Sequence, residues 1–137
     1  MLAAACVVVL GLLAGEELIV RWGVQPALAA LDDRAHLQAR IALVRRLKVV
    51  VPILIVPAAI LTSAHVVTSP GSWPGGVALL AFVLLSAFGT VPINIRINDW
   101  DADHPPPDWR RVVHRWTVID VFRSSAAVLA FVLVVAV

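Results

Sequence analysis

Three short spacings gather the side chains that could do chemistry. Glu17 and Arg21 stand four residues apart, and so do Asn94 and Asn98. Trp116, Asp120 and Arg123 follow one another at intervals of four and three. On a helix each set shares one face. The types are carboxylate, guanidinium, amide and indole. Together they suit a pocket in which the charges pair with one another and tryptophan rings form the walls. Trp109, in the polar stretch just before the last set, belongs with them.

The surrounding sequence makes these residues costly. Of the 137 residues 61% are hydrophobic and 15% are charged, where a soluble domain carries about 25% charge. Mean hydropathy is +0.92. The apolar residues come in long runs, about 20 residues being enough to cross a bilayer. Four runs qualify, at residues 2–28, 49–67, 77–97 and 116–137, within one membrane domain covering residues 1–137. The expected fold is all-α, a four-helix transmembrane bundle. A charged group at the middle of a bilayer costs about 2.5–3.5 kcal/mol on insertion scales. Such groups therefore face a partner or a cavity.

The basic residues give the expected orientation. Arg34, Arg40, Arg45, Arg46 and Lys48 lie between the first two runs, and Arg110, Arg111 and Arg115 between the last two. The connection "HVVTSPGSWPGG" has no Lys or Arg. Positive charge stays inside, so both termini are expected outside, in a bacterial plasma membrane. Residues 32–48 read as an amphipathic cytoplasmic extension of the second helix, lying at the headgroups and opened by Asp32 or Asp33 as a cap. Its stripe is Leu37, Ile41, Val44 and Leu47, with Arg40, Arg45, Arg46 and Lys48 on other faces. In this topology Glu16, Glu17 and Arg21, then Asn94, Arg96 and Asn98, then Asp120 and Arg123, all fall at one depth. That coincidence points to a site near the inner leaflet. The rival reading is structural: neutralised pairs pin helix ends, and Trp100, Trp109 and Trp116 form an interfacial belt. Cys6 reads as a buried thiol, and no cleaved leader is expected because no basic residue precedes Arg21.

The stretches "PINIRINDW", "PPPDWRRVVHRW" and "FRSSAAVLAF" resemble the anthrone oxygenase-like membrane proteins (the DUF1772 family). Pro92, Asn94, Trp109, Trp116 and Arg123 carry the likeness, and "GEELIVRWGVQPAL" is similar to that family's first helix. Where relatives often place His or Asn one turn before the arginine, this chain has Asp120. The resemblance implies an oxygenase that converts a lipophilic aromatic carbon acid of the anthrone type. Such a site needs a base, an oxyanion stabiliser and aromatic walls. Glu17 or Asp120 could be the base. Arg123 or Arg21, with Asn94, could hold the oxyanion, and Trp116 could stack on the substrate.

Cofactor use is open. His36, His65, His104 and His114 form no metal-binding motif, although a haem held by one His leaves no spacing signature. A weak metal site could form from His104 and His114 with Asp101, Asp103 and Asp108. The basic residues are too few for nucleic-acid binding, and no repeat suggests a transporter. The non-enzymatic alternative is a partner subunit or homo-oligomer, with Ser124, Ser125, Ala126 and Ala127 as a close-contact face.

Overall fold

The computed structural model describes residues 1–137 as helices joined by short connections, with no strand. The four long helices are α1 (Leu2–Ala29), α2 (Asp33–Thr68), α3 (Pro70–Asn98) and α4 (Trp109–Val135). Each is long and apolar enough to cross a membrane. Of the 111 backbone hydrogen bonds, 99 close within helices, so lipid meets almost no unpaired peptide group, as a bilayer requires. Large apolar side chains such as Leu12, Ile53, Ile60, Leu80, Phe88, Phe122 and Leu129 point outward. In water such a belt would be an aggregation hazard, and in a bilayer it is the lipid-facing surface. The protein is an integral membrane four-helix bundle.

The helices stand in a square: α1 packs on α2 and α4, and α3 packs on the same two. Between α3 and α4 a glycine allows close packing. A Cβ on Gly75 would lie 2.6 Å from Val134 Cγ2 and 3.3 Å from the Ala130 carbonyl. Val134 has one stiff rotamer in a helix, so it has little room to give. Gly75→Ala is expected to cost about 1–3 kcal/mol by overpacking. Gly15→Ala, which meets nothing within 4 Å, should be neutral or slightly stabilising through helix propensity. Thermal unfolding of the two variants in detergent checks this, and equal melting temperatures would refute the packing account.

The core has two apolar layers. One contains Leu37, Ile41, Val44, Leu47, Ile97, Trp100, Val112, Val113 and Trp116. The other contains Cys6, Leu10, Leu13, Ala58, Leu79, Phe82, Ala127, Ala130 and Val134. The stripe Leu37, Ile41, Val44 and Leu47 is thus buried in the bundle, along a helix α2 that runs unbroken from its cap. Asp32 supplies that cap, its carboxylate accepting from the Ala35 N–H at 3.0 Å. Trp100 and Trp116 are likewise core residues and not an interfacial belt.

Two helices contain a wider turn. In α1 it covers Val20–Val24, where the Gln25 N–H reaches back to the Val20 carbonyl. In α3 it covers Ser86–Thr90, where the Val91 N–H reaches back to the Ser86 carbonyl. Each turn leads directly into a proline, Pro26 or Pro92. Proline has no N–H and its ring crowds the preceding turn, so one extra residue per turn relieves the clash without breaking the helix.

The 99–108 connection is tied to the start of α2. Arg96 Nη2 donates to both carboxylate oxygens of Asp108 at 2.8 and 2.9 Å, and Arg34 reaches Asp103 at 2.8 Å. Arg110 pairs with Asp33, and Arg45 donates to the Asn98 carbonyl. All lie at one end of the bundle, called the basic end below.

Candidate active site

Between the two apolar layers lies a polar layer. Its centre is Arg123, only 3% exposed, whose Nη2 is 2.9 Å from Glu17 Oε1 and 3.3 Å from Asp120 Oδ1. The contact to Glu17 is an ion pair by distance but is not aligned as a hydrogen bond, since both Glu17 oxygens lack a directed partner. Arg123 also lies over the Phe82 ring at 5.5 Å. Above it, Trp116 is fully buried and its Nε1 donates to Asn94 Oδ1 at 2.7 Å. That bond uses the amide oxygen of Asn94 and leaves the amide nitrogen free to donate. Asp120 and Arg123 come together as their i,i+3 spacing implies.

The Glu17–Arg21 pair does not form. Arg21 instead crosses to α4, donating to Ser125 Oγ at 3.1 Å, Ser124 Oγ at 3.3 Å and the Val121 carbonyl at 3.4 Å. The cause is local. The wider turn at Val20–Val24 begins between the two residues, so the four-residue stacking is lost, and Arg123 occupies the Glu17 carboxylate. Ser124 and Ala127, expected to offer a contact face to a second subunit, are buried inside the chain.

A cavity of about 370 Å³ opens between α2 and α3. Trp116 and Arg123 of α4 line it, together with Ser86, Thr90, Asn94 and Asn98 of α3 and Val44, Leu47, Val51 and Ile55 of α2. Ser86 and Thr90 mark the two ends of the wider turn in α3, and Thr90 Oγ1 donates to the Ser86 carbonyl. At the rim, Pro52, Val91 and Ile95 face outward among the lipid-facing residues. The other part of the rim carries Lys48 and Asp99. Its volume is that of a small-molecule pocket.

The anticipated single pocket is divided in two. Asn94, Asn98, Trp116 and Arg123 belong to the α2/α3 cavity. Glu17 lies behind Arg123 and outside that wall, and Arg21 and Asp120 line a separate cleft between α1 and α4. Trp109 is in neither, because its ring packs edge-on against His36 at 5.5 Å.

Asp99 was overlooked in the sequence, yet it is the carboxylate in the cavity wall. Arg40, expected on a face away from the apolar stripe, is instead turned inward. It is 1% exposed, donates to Gln25 Oε1 at 2.8 Å and lies over the Trp116 ring at 5.2 Å. Its signal was position, since three residues after Leu37 and four before Val44 it falls on the apolar stripe.

No group of three His, Cys, Asp or Glu side chains converges. His104 instead closes a local loop, its Nδ1 3.1 Å from Asp101 Oδ2. The Asp103 backbone N–H and then His104 hold the Asp101 carboxyl below its usual range.

A family model described as anthrone oxygenase matches residues 40–133. That stretch contains every residue lining the α2/α3 cavity. No curated protein and no solved structure matches the chain.

Proposed function

We propose that this chain, which belongs to the anthrone oxygenase family, is a membrane oxygenase that takes a lipophilic, anthrone-like aromatic carbon acid from the bilayer into the α2/α3 cavity. One observation carries the reading. An apolar cavity within the matched region opens among lipid-facing side chains and ends on an arginine, an amide and an indole. Such a shape suits a flat molecule with one polar atom.

The chemistry follows from that end. The substrate's ketone oxygen points at Arg123 and the free amide nitrogen of Asn94, with its rings against Trp116. When the methylene C–H ionises, the electron pair moves to that oxygen, and the two donors stabilise the resulting oxyanion. Asp99, at the rim, accepts the proton. Glu17 and Asp120 act through Arg123, fixing its position and balancing its charge. The anion passes one electron to O₂, and the two radicals combine to form a C–O bond. The hydroperoxide then loses water. One oxygen atom stays as the new carbonyl, and the other leaves as water with the two methylene hydrogens. The basic end, where Arg34, Arg45 and Arg110 gather, faces the cytoplasm in this proposal.

Oxygen uptake by the purified chain with anthrone tests the activity. Val91→Trp tests the location. Val91 is 45% exposed at the rim, so a larger apolar side chain is tolerated by the fold but narrows the mouth. The expected result is a loss of about tenfold or more in kcat/KM with an unchanged melting temperature. Unchanged kinetics would place the substrate elsewhere.

A further inference from the structure

The α1/α4 cleft holds donors that the oxygenation does not use. Its volume is about 460 Å³, and Arg21, Trp22, Gln25, Pro26, Arg40 and Asp120 are among its lining. Arg40 is almost wholly buried, yet its Nε and Nη1 have no partner. Gln25 is 8% exposed, and its Nε2 has none either. Leaving buried donors unpaired is expensive. The Trp116 ring meets the charge of Arg40 but gives its N–H groups no acceptor.

The cleft's charge favours an anion. Arg40 and Arg21 face it, with His36 beside them. The opposing carboxylate, Asp120, is held by Arg123 at 3.3 Å. A guanidinium presents its N–H groups in a fork that fits an oxyanion.

The depth and walls narrow the class further. Gln25 accepts from Arg40, about two turns from the Asp32 cap of α2 and the ion pairs of the basic end. A cluster of arginines next to a span belongs among the headgroups. Trp22, 68% exposed, and Pro26 form an apolar flank facing outward. We infer that the cleft binds the phosphate of an anionic lipid, with Arg40 as central donor, Arg21 and Gln25 Nε2 beside it, and the acyl chains over Trp22 and Pro26. This site is separate from the substrate cavity and does not depend on the oxygenase reading.

Native mass spectrometry of the full chain in detergent tests it, with added phosphatidylglycerol, phosphatidylcholine or inorganic phosphate. Two arginines at the site correspond to about thirtyfold preference for the anionic lipid. Gln25→Glu sets a carboxylate against Arg40, which supports the fold while occupying the site. It is expected to reduce the preference to about fivefold or less, as is Arg40→Gln. Arg46→Gln, an exposed arginine on the same helix, should leave the preference intact. Equal retention of the two lipids, or full preference in Gln25→Glu, overturns the inference. Displacement of phosphatidylglycerol by millimolar inorganic phosphate also overturns it, in favour of a site for free anions.

Discussion

Arg123→Met abolishes oxygen uptake and lowers stability by about 3–5 kcal/mol, the usual cost of removing one partner from a buried ion pair. The arginine is the shared counter-charge of Glu17 and Asp120, at 2.9 and 3.3 Å, and all three are almost fully buried. Methionine fills similar space but leaves two carboxyl groups without a cation. A second variant separates fold from function. Combining Arg123→Met with Glu17→Gln and Asp120→Asn removes the charges together, and apolar or neutral replacement of a whole buried set is often tolerated. The triple variant is expected to regain most of the lost stability and none of the activity, because the oxyanion donor is still absent. Denaturation in detergent and oxygen-electrode traces give the two readouts. Turnover in the triple variant would remove Arg123 from the chemistry.

Trp116→Ala is the second large effect. Truncating a buried aromatic residue costs about 3–5 kcal/mol in water-soluble cores. Lipid tails are as apolar as the core, so the transfer part fades between helices while the packing part remains. About 2 kcal/mol is therefore expected here. The functional loss should be larger. The substrate's wall disappears, and the Asn94 oxygen loses the N–H that orients it at 2.7 Å. Trp116→Phe distinguishes these roles. It keeps an aromatic wall and removes only the N–H, so KM should change little while kcat falls as Asn94 turns. If Phe retains the wild-type kcat while Ala loses it, the N–H has no part in turnover and the indole serves as wall and packing alone.

Much of this architecture could be read from the sequence because its signals are long. Four apolar runs fix four helices, and a bilayer leaves little choice of backbone. Trp116, Asp120 and Arg123 lie on an uninterrupted helix, so their spacing puts all three on its buried side, although Asp120 opens on a different concavity from the other two. Glu17 and Arg21 follow the same arithmetic, yet they separate because a wider turn starts at Val20. The chain announces that turn only indirectly, through Pro26 five residues on from Arg21. The partition of the polar residues between two concavities was also hidden. It depends on which helix pairs part, and that is a property of packing rather than of any one helix. Arg40 was misread for a related reason. A cluster of arginines suggests an exposed face, but one member of the cluster falls on the stripe that faces inward.

The polar layer between the two apolar layers has a consequence for biogenesis. Glu16 and Glu17 leave the ribosome on the first helix, and their counter-charge, Arg123, comes on the last. While the chain is being made, α1 holds two carboxyl groups whose counter-charge on α4 has yet to appear. Helix α4 carries Asp120 and Arg123, which raise the cost of its own insertion. The first and last helices therefore stabilise each other in the membrane, and two or three helices alone form an unfinished intermediate. A nascent chain that stops before Arg123 exposes its acidic groups to lipid, and membrane quality control can act on that exposure before a faulty copy accumulates.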